Sequence, residues 1–198
     1  MPLVTLEPPP ASIQGLQEGL RRLSAHRGTA ALFAPAGGAP ASVGTAHKVF
    51  SIGLDALAQP DPLDSAQETG WRYLLTSAPG LGGGAVGAVD VNKVGDQHRF
   101  AQMHAGWLSE ETRKAINIAQ ANPDVLGGNY EPRALRVPAL LVDALWLKDT
   151  QGTNDLVVPI RSAAPKMNVG TVYKAADFID DLRDIAAGKP KFNDRPLR

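Results

Sequence analysis

Three runs with the composition of β-strands follow one another in the middle of the chain, at residues 71–76, 85–92 and 98–104. In the first run, alternate aromatic and aliphatic residues would share one side of a strand. The connections between the runs are short and contain glycine, with a Gly-Asp pair in the second. Because parallel neighbours need a crossover of about a dozen residues or more, connections this short predict an antiparallel meander.

Further strands are predicted on both sides of the meander, at residues 48–53 and 130–137. The run 139–147 is the most apolar in the chain, and its length suits either a buried strand or a short buried helix. We prefer the strand, because the turn residues 149–154 and the apolar run 156–160 then complete a hairpin. The helix remains the open alternative.

Two helices are predicted in the second half of the chain. Ser109 is a suitable cap for one that ends near Asn122, ahead of a proline. The other covers residues 175–188, where apolar residues recur at intervals of three and four. Strand runs interrupted by single helices predict an α+β fold, a curved antiparallel sheet with these two helices packed on one face.

An arm rich in alanine, glycine and proline is predicted to precede this domain. Ser12 would cap a short amphipathic helix in the arm. The apolar side of that helix consists of Ile13, Leu16, Leu20 and Leu23. Gly15 and Gly19 form a G-x-x-x-G pattern, which we interpret as chance spacing because it lies outside an apolar segment of about 20 residues. A linker with one short strand at 30–34 would follow.

These assignments divide the chain into three parts. Residues 1–45 form the arm and its linker, residues 46–188 form a single α+β globular domain, and residues 189–198 form a polar tail. A chain of 198 residues is long enough to bury a substantial core without disulfides or metal ions.

The composition excludes several classes of function. The chain contains no cysteine, so it has no disulfide scaffold, no thiol nucleophile and no cysteine-ligated metal site. Its 20 Lys and Arg residues balance 20 Asp and Glu residues, which disfavours nucleic acid as a partner. No run approaches the roughly 18 apolar residues of a membrane span, and the proline-rich N-terminus lacks the features of a signal peptide. We therefore expect a soluble, cytoplasmic protein.

Few patterns point to catalysis. A strand rather than a helix follows the glycine-rich run 80–87, so we interpret that run as a hairpin turn and not as a nucleotide-binding loop. His98 and His104 would lie about 20 Å apart along one strand, too far to share a metal ion. Asp90 could face either histidine as an acid–base pair. No serine has the surroundings of a nucleophile, and neither a metal ion nor a cofactor is predicted.

Asp143 is the one charged residue in the apolar run 139–147. A carboxylate in such surroundings needs a cationic or hydrogen-bonding partner. One interpretation is a structural ion pair with Arg133 or Arg136 on the preceding strand, and the other is a functional acid that lines a pocket. We favour the structural pair.

Two hypotheses about function follow. The first is a non-catalytic interaction or structural module, such as a subunit of a larger assembly, in which the arm helix contacts a protein partner or a second copy. The second is a small-molecule-binding domain, or an enzyme without a recognisable motif, with an apolar pocket between sheet and helices. The candidate pocket residues are Trp71, Tyr73, Trp107, Asp143 and Trp146. We favour the first, because catalytic motifs are missing and the arm's apolar side needs a surface to cover it.

Overall fold

The computed structural model describes residues 3–25, 42–76, 85–152, 154–162 and 167–188. Residues 26–41, which contain most of the predicted linker and its strand at 30–34, lie outside these residues, as do the glycines within 80–84 and the tail at 189–198. Residues 42–45 were predicted as linker but belong to a strand, Ser42–Ser51.

An open sheet of eight strands forms the centre of the described structure, and it runs in the order β4-β3-β2-β1-β5-β6-β7-β8. The strands are β1 (Ser42–Ser51), β2 (Gln67–Thr76), β3 (Ala85–Val94), β4 (Gln97–Ala105), β5 (Tyr130–Val137), β6 (Val142–Asp149), β7 (Leu156–Arg161) and β8 (Tyr173–Lys174). Each half of the sheet is an antiparallel meander, and the two meanders meet where β1 pairs in parallel with β5. The predicted antiparallel character is therefore confirmed for every pair but this central one.

Five helices accompany the sheet in the described part of the chain. They are α1 (Pro10–Ser24), α2 (Leu54–Leu57), α3 (Trp107–Ala121), α4 (Pro123–Leu126) and α5 (Ala175–Ala187). The mixed α/β character predicted from the sequence is thus confirmed. The run 139–147 is a strand from Val142 onward, as preferred. Its first residues form a 3₁₀ turn, Pro138–Leu140, which ends at Leu141 in the left-handed conformation with φ of 55°.

The two helices predicted to share one face, α3 and α5, lie on opposite faces of the sheet. On β6, Ala144 and Trp146 pack in the cluster that contains Phe178 of α5. The alternate residues Leu145 and Leu147 pack in the cluster that contains the α3 residues. Because successive side chains of a strand point to opposite faces, the two helices must lie on different sides. The prediction was wrong on this point since β6 is apolar on both sides, and its pattern does not say which side each helix covers.

The arm helix α1 lies on the same face as α5. Ala46 and Phe50 are four residues apart on β1 and belong to the clusters beneath α1 and α5 respectively, so both helices occupy one side. α1 begins at Pro10, and Ser12, predicted as its cap, is instead buried within the first turn. The hydroxyl of Tyr73 donates a hydrogen bond to Ser12 Oγ at 2.7 Å, which ties the helix to β2.

The two glycines of α1 form its contact with β3 and β4, so their interpretation as chance spacing was wrong. A Cβ on Gly15 would lie 2.9 Å from the carbonyl oxygen of His98 and 2.9 Å from Val91 Cγ1. A Cβ on Gly19 would overlap the ring of Phe100. The helix backbone can approach the sheet this closely only because neither residue has a side chain.

We expect Gly15→Ala to destabilise α1, although alanine is the better helix former by about 1 kcal/mol. The added methyl group meets backbone that cannot rotate away, and overpacking of this kind costs about 1–3 kcal/mol. Faster hydrogen exchange of the α1 amides and a lower urea midpoint would measure the effect. Gly53→Ala is the control, because a Cβ at Gly53 has no atom within 4 Å. A Gly15→Ala variant as stable as the unsubstituted protein would show that α1 does not depend on this contact.

Candidate functional site

An apolar groove of about 560 Å³ runs between α1 and the first half of β1. Its apolar lining comprises Leu6, Ile13, Leu16, Leu20, Val43 and Ala46. Leu16 is buried, whereas Ile13 is 39% and Val43 is 48% exposed, so the groove has a closed floor and an open rim. We call it the α1 groove.

One wall of the α1 groove is a strand edge. β1 pairs with β2 along most of its length but with β5 only over residues 48–51. Among the described residues, no strand pairs with the other edge of β1 over residues 43–47. At that level β5 pairs instead with the N-terminal segment, where the amide of Val4 donates to the carbonyl of Tyr130 at 2.7 Å. Among the described residues, the backbone of β1 over 43–47 therefore has no strand partner on this side, where it lies beside an apolar surface.

The four residues predicted as an interaction surface are divided by the fold. Ile13, Leu16 and Leu20 line the α1 groove, and Leu16 is also part of the protein's own core. Leu23 does not line the groove. The helix thus covers its own sheet and leaves part of its apolar side on the rim.

The five residues predicted as a pocket do not come together. Trp71 and Tyr73 are buried beneath α1. Trp146 lies in the core beneath α5, where its ring meets Phe50 edge-on at 5.3 Å between centroids. Trp107 and Asp143 lie on the other face of the sheet and are connected through an arginine of β7.

That other face carries a buried polar pair. The guanidinium group of Arg72 donates to Asp90 from Nε at 2.7 Å and from Nη2 at 3.0 Å, and both side chains are almost completely buried. Asp90 also accepts a hydrogen bond from Gln102 at 3.2 Å and lies 2.9 Å from His104 Nε2. The predicted pairing of Asp90 with one of the two histidines is confirmed for His104. Arg72 was not predicted.

Burial has opposite effects on the charges around this pair. It is the largest influence on Asp90 and would raise the pKa of that carboxyl, but the hydrogen bonds from His104 and Arg72 and the charge of Arg72 outweigh it. The pKa of Asp90 therefore lies well below its ordinary value. Burial first and the charge of Arg72 second lower the pKa of His47 to about 4, so this buried histidine is neutral near pH 7.

A more open group of charges adjoins the buried pair. Arg136 Nε lies 3.5 Å from Asp143, its directly opposite neighbour on β6, and Arg136 Nη1 lies 3.8 Å from Asp90. Arg161 Nη1 lies 3.9 Å from Asp143, and its guanidinium group lies 5.7 Å from the ring of Trp107. The structural pairing of Asp143 with Arg136 is thus observed, and Arg161 is a second partner that was not predicted.

Two properties limit what these residues can do. In the described part of the chain, no group of three or more His, Asp or Glu side chains is placed to hold a metal ion. No described helix is long and apolar enough to cross a membrane.

Comparison of the chain with protein-family models, with curated proteins and with solved structures finds no match.

Proposed function

We propose that this chain is a non-catalytic interaction module that binds an extended, apolar segment of a partner protein in the α1 groove. The observation that carries the proposal is the edge of β1 at residues 43–47, which pairs with no other strand in the part of the chain that the structure describes and lies along an apolar groove. An unpaired strand edge is the natural template for an added strand.

The dimensions suit a short peptide. The register of β1 shifts between Val43 and Ala46, so residues 43–47 span at most about 17 Å of strand, the length of a segment of about five residues. Main-chain hydrogen bonds to β1 would supply affinity, and every second side chain of the peptide would enter the groove. The groove's volume of about 560 Å³ lies within the usual range of ligand sites. Ile13 and Val43 on the rim would contact the apolar side chains of the peptide.

This proposal changes the role of the arm helix. A free helix would present its whole apolar side to a partner, but α1 is docked on its own sheet through Gly15, Gly19 and Leu16. The part that remains open is the groove. The partner segment is therefore expected to be a strand rather than a second helix.

We expect Val43→Asp to abolish the binding of peptides selected from a displayed random library on the unsubstituted protein. The introduced carboxylate would lie on the rim of the groove, where a bound apolar side chain would desolvate it. Val94→Asp is the matched control, because Val94 is also an exposed valine, at 59%, and does not line the groove. Titration of the purified peptides against each variant measures the effect.

A second experiment tests the strand pairing. Methylation of alternate peptide nitrogens should weaken binding in one register and leave it unchanged in the other, since alternate amides of an added strand face β1. The proposal is wrong if no selected peptide depends on Val43, or if methylation has the same effect at every position.

A further inference from the structure

On the opposite side of the sheet from the α1 groove, α3 begins beside a group of charges that the interaction proposal does not use. The group contains three arginines and two aspartates, contributed by β2, β3, β5, β6 and β7. At the buried end of the group, Arg72 and Asp90 neutralise each other. The excess positive charge therefore lies at the more exposed end, where two arginines share one aspartate.

The inner part of the group is closed. Both guanidinium bonds of Arg72 go to Asp90, and Gln102 and His104 occupy the same carboxylate. A carboxylate with this many donors has little capacity for another cation. Arg136 therefore approaches Asp90 only to 3.8 Å, longer than a well-formed N–H···O hydrogen bond.

The outer part of the group is not satisfied. Arg136 and Arg161 are both held beside Asp143, at 3.5 and 3.9 Å, and neither guanidinium group makes a side-chain hydrogen bond to the described residues. Their side chains are 34% and 46% exposed. Each guanidinium group has five N–H donors, so two of them that share one carboxylate have more donors than that carboxylate can accept.

The start of α3 adds an aromatic surface and further donors. Trp107, its first residue, is 51% exposed and stacks near Arg161. The first backbone N–H groups of a helix have no intrahelical acceptor, and in this 15-residue helix the preceding residue, Gly106, provides no side-chain cap for them. Glu110 in the first turn is paired with Arg113 at 2.6 Å, which reduces its repulsion of an anion.

We propose that Arg136, Arg161 and Trp107 form a binding site for a small organic oxyanion, in which a carboxylate or phosphate group contacts the two arginines and an aromatic body stacks on the indole ring. The planar guanidinium fork matches both oxyanions in geometry and charge. The exposed indole ring supplies the apolar contact that inorganic ions lack. This site is independent of peptide binding, because the sheet separates it from the α1 groove.

The test uses four probes with the full-length protein. Benzoate and phenyl phosphate carry the two oxyanions on an aromatic ring, inorganic phosphate lacks the ring, and benzamide lacks the charge. We expect saturable binding of benzoate or phenyl phosphate, with shifts of the Trp107 indole resonance in NMR spectra. Inorganic phosphate should bind at least about tenfold more weakly, since it lacks the aromatic contact with Trp107. Benzamide should not bind, since it cannot accept charge-assisted hydrogen bonds from the two arginines. The stronger of the two aromatic probes identifies the oxyanion.

Variants connect the binding to the two arginines. Arg161→Gln should weaken the stronger probe by about tenfold or more, and Arg161→Lys should restore only part of the affinity because the fork is lost. Arg99→Gln on β4 removes the same charge from an exposed position away from the site and should leave affinity unchanged. Arg161 is half exposed, so its removal should not prevent folding. The proposal is overturned if Arg99→Gln weakens binding as much as Arg161→Gln, or if neither aromatic anion saturates.

Discussion

Replacement of Asp90 by alanine is expected to lower the free energy of unfolding by about 3–5 kcal/mol. The substitution leaves the guanidinium group of Arg72, whose side chain is only 1% exposed, as a buried charge without its partner. Gln102 and His104 lose an acceptor at the same time. Both side-chain hydrogen bonds of Arg72 to a described carboxylate go to Asp90, so both are lost in the variant. Equilibrium unfolding in urea would measure the loss.

Two further variants separate the cost of leaving Arg72 buried without a partner from the stability that the Arg72–Asp90 pair itself contributes. Asp143→Ala removes the other aspartate of the charge group, but its arginine partners are 34% and 46% exposed and can be solvated, so we expect about 1 kcal/mol or less. Arg72→Met combined with Asp90→Leu should recover most of the stability lost in Asp90→Ala, because no charge is then buried. If Asp90→Ala and Asp143→Ala lower the free energy of unfolding equally, or if the double variant is the least stable, the loss in Asp90→Ala does not come from the unpaired buried charge of Arg72.

Acidification should destabilise the protein through His47. Its pKa is lowered in the folded protein to about 4, whereas in the unfolded chain it lies near the ordinary value of 6.5. Between these values the unfolded chain binds a proton that the folded protein excludes. The contribution of neutral His47 to the free energy of unfolding is therefore fully present above pH 6.5 and is lost as the pH falls toward 4. The two values correspond to a loss of about 3 kcal/mol across this window.

His47→Gln isolates this effect because glutamine does not titrate. We expect the unsubstituted protein to lose stability relative to the variant as the pH falls from 7 to about 4, with unfolding by urea measured at each pH. Carboxyl groups contribute equally to both proteins and cancel in the difference. The stability that ionised Asp90 contributes is lost at lower pH, below the ordinary pKa of 3.8, since the pKa of that carboxyl is depressed in the folded state. A difference that does not change with pH would contradict the neutral, buried state of His47.

The parts of the fold that depend on local sequence were predictable. The meander β2-β3-β4 follows from short turns, and β6 paired with β7 follows from the turn residues between them. The parallel pairing of β1 with β5 was not predictable, because the sequence of neither strand indicates which distant strand it pairs with. The assignment of helices to faces failed for the related reason that β6 is apolar on both sides.

The polar residues were also predictable only where local sequence was sufficient. Asp143 was singled out because it interrupts an apolar run. A pair with Arg133 or Arg136 on the preceding strand was predicted, and the structure shows that the partner is Arg136. Arg72 interrupts the apolar run of β2 in the same way, so the same reasoning would have found it. The choice between His98 and His104 for Asp90 needed the strand register. Gly15 also carried a signal, since glycine disfavours a helix and its presence there suggests a close contact.

The parallel pairing in the centre of the sheet has a consequence for how the chain assembles. It joins Lys48 to Arg133, which are 85 residues apart, whereas every other strand pair joins strands that are neighbours in sequence. The entropy of closing that long loop is lost before the contact forms, so each meander is expected to form early and their junction late. The helix α3 contacts β3 and β4 on one side of the junction and β6 and β7 on the other. Its docking therefore locks two separately formed halves into one cooperative unit.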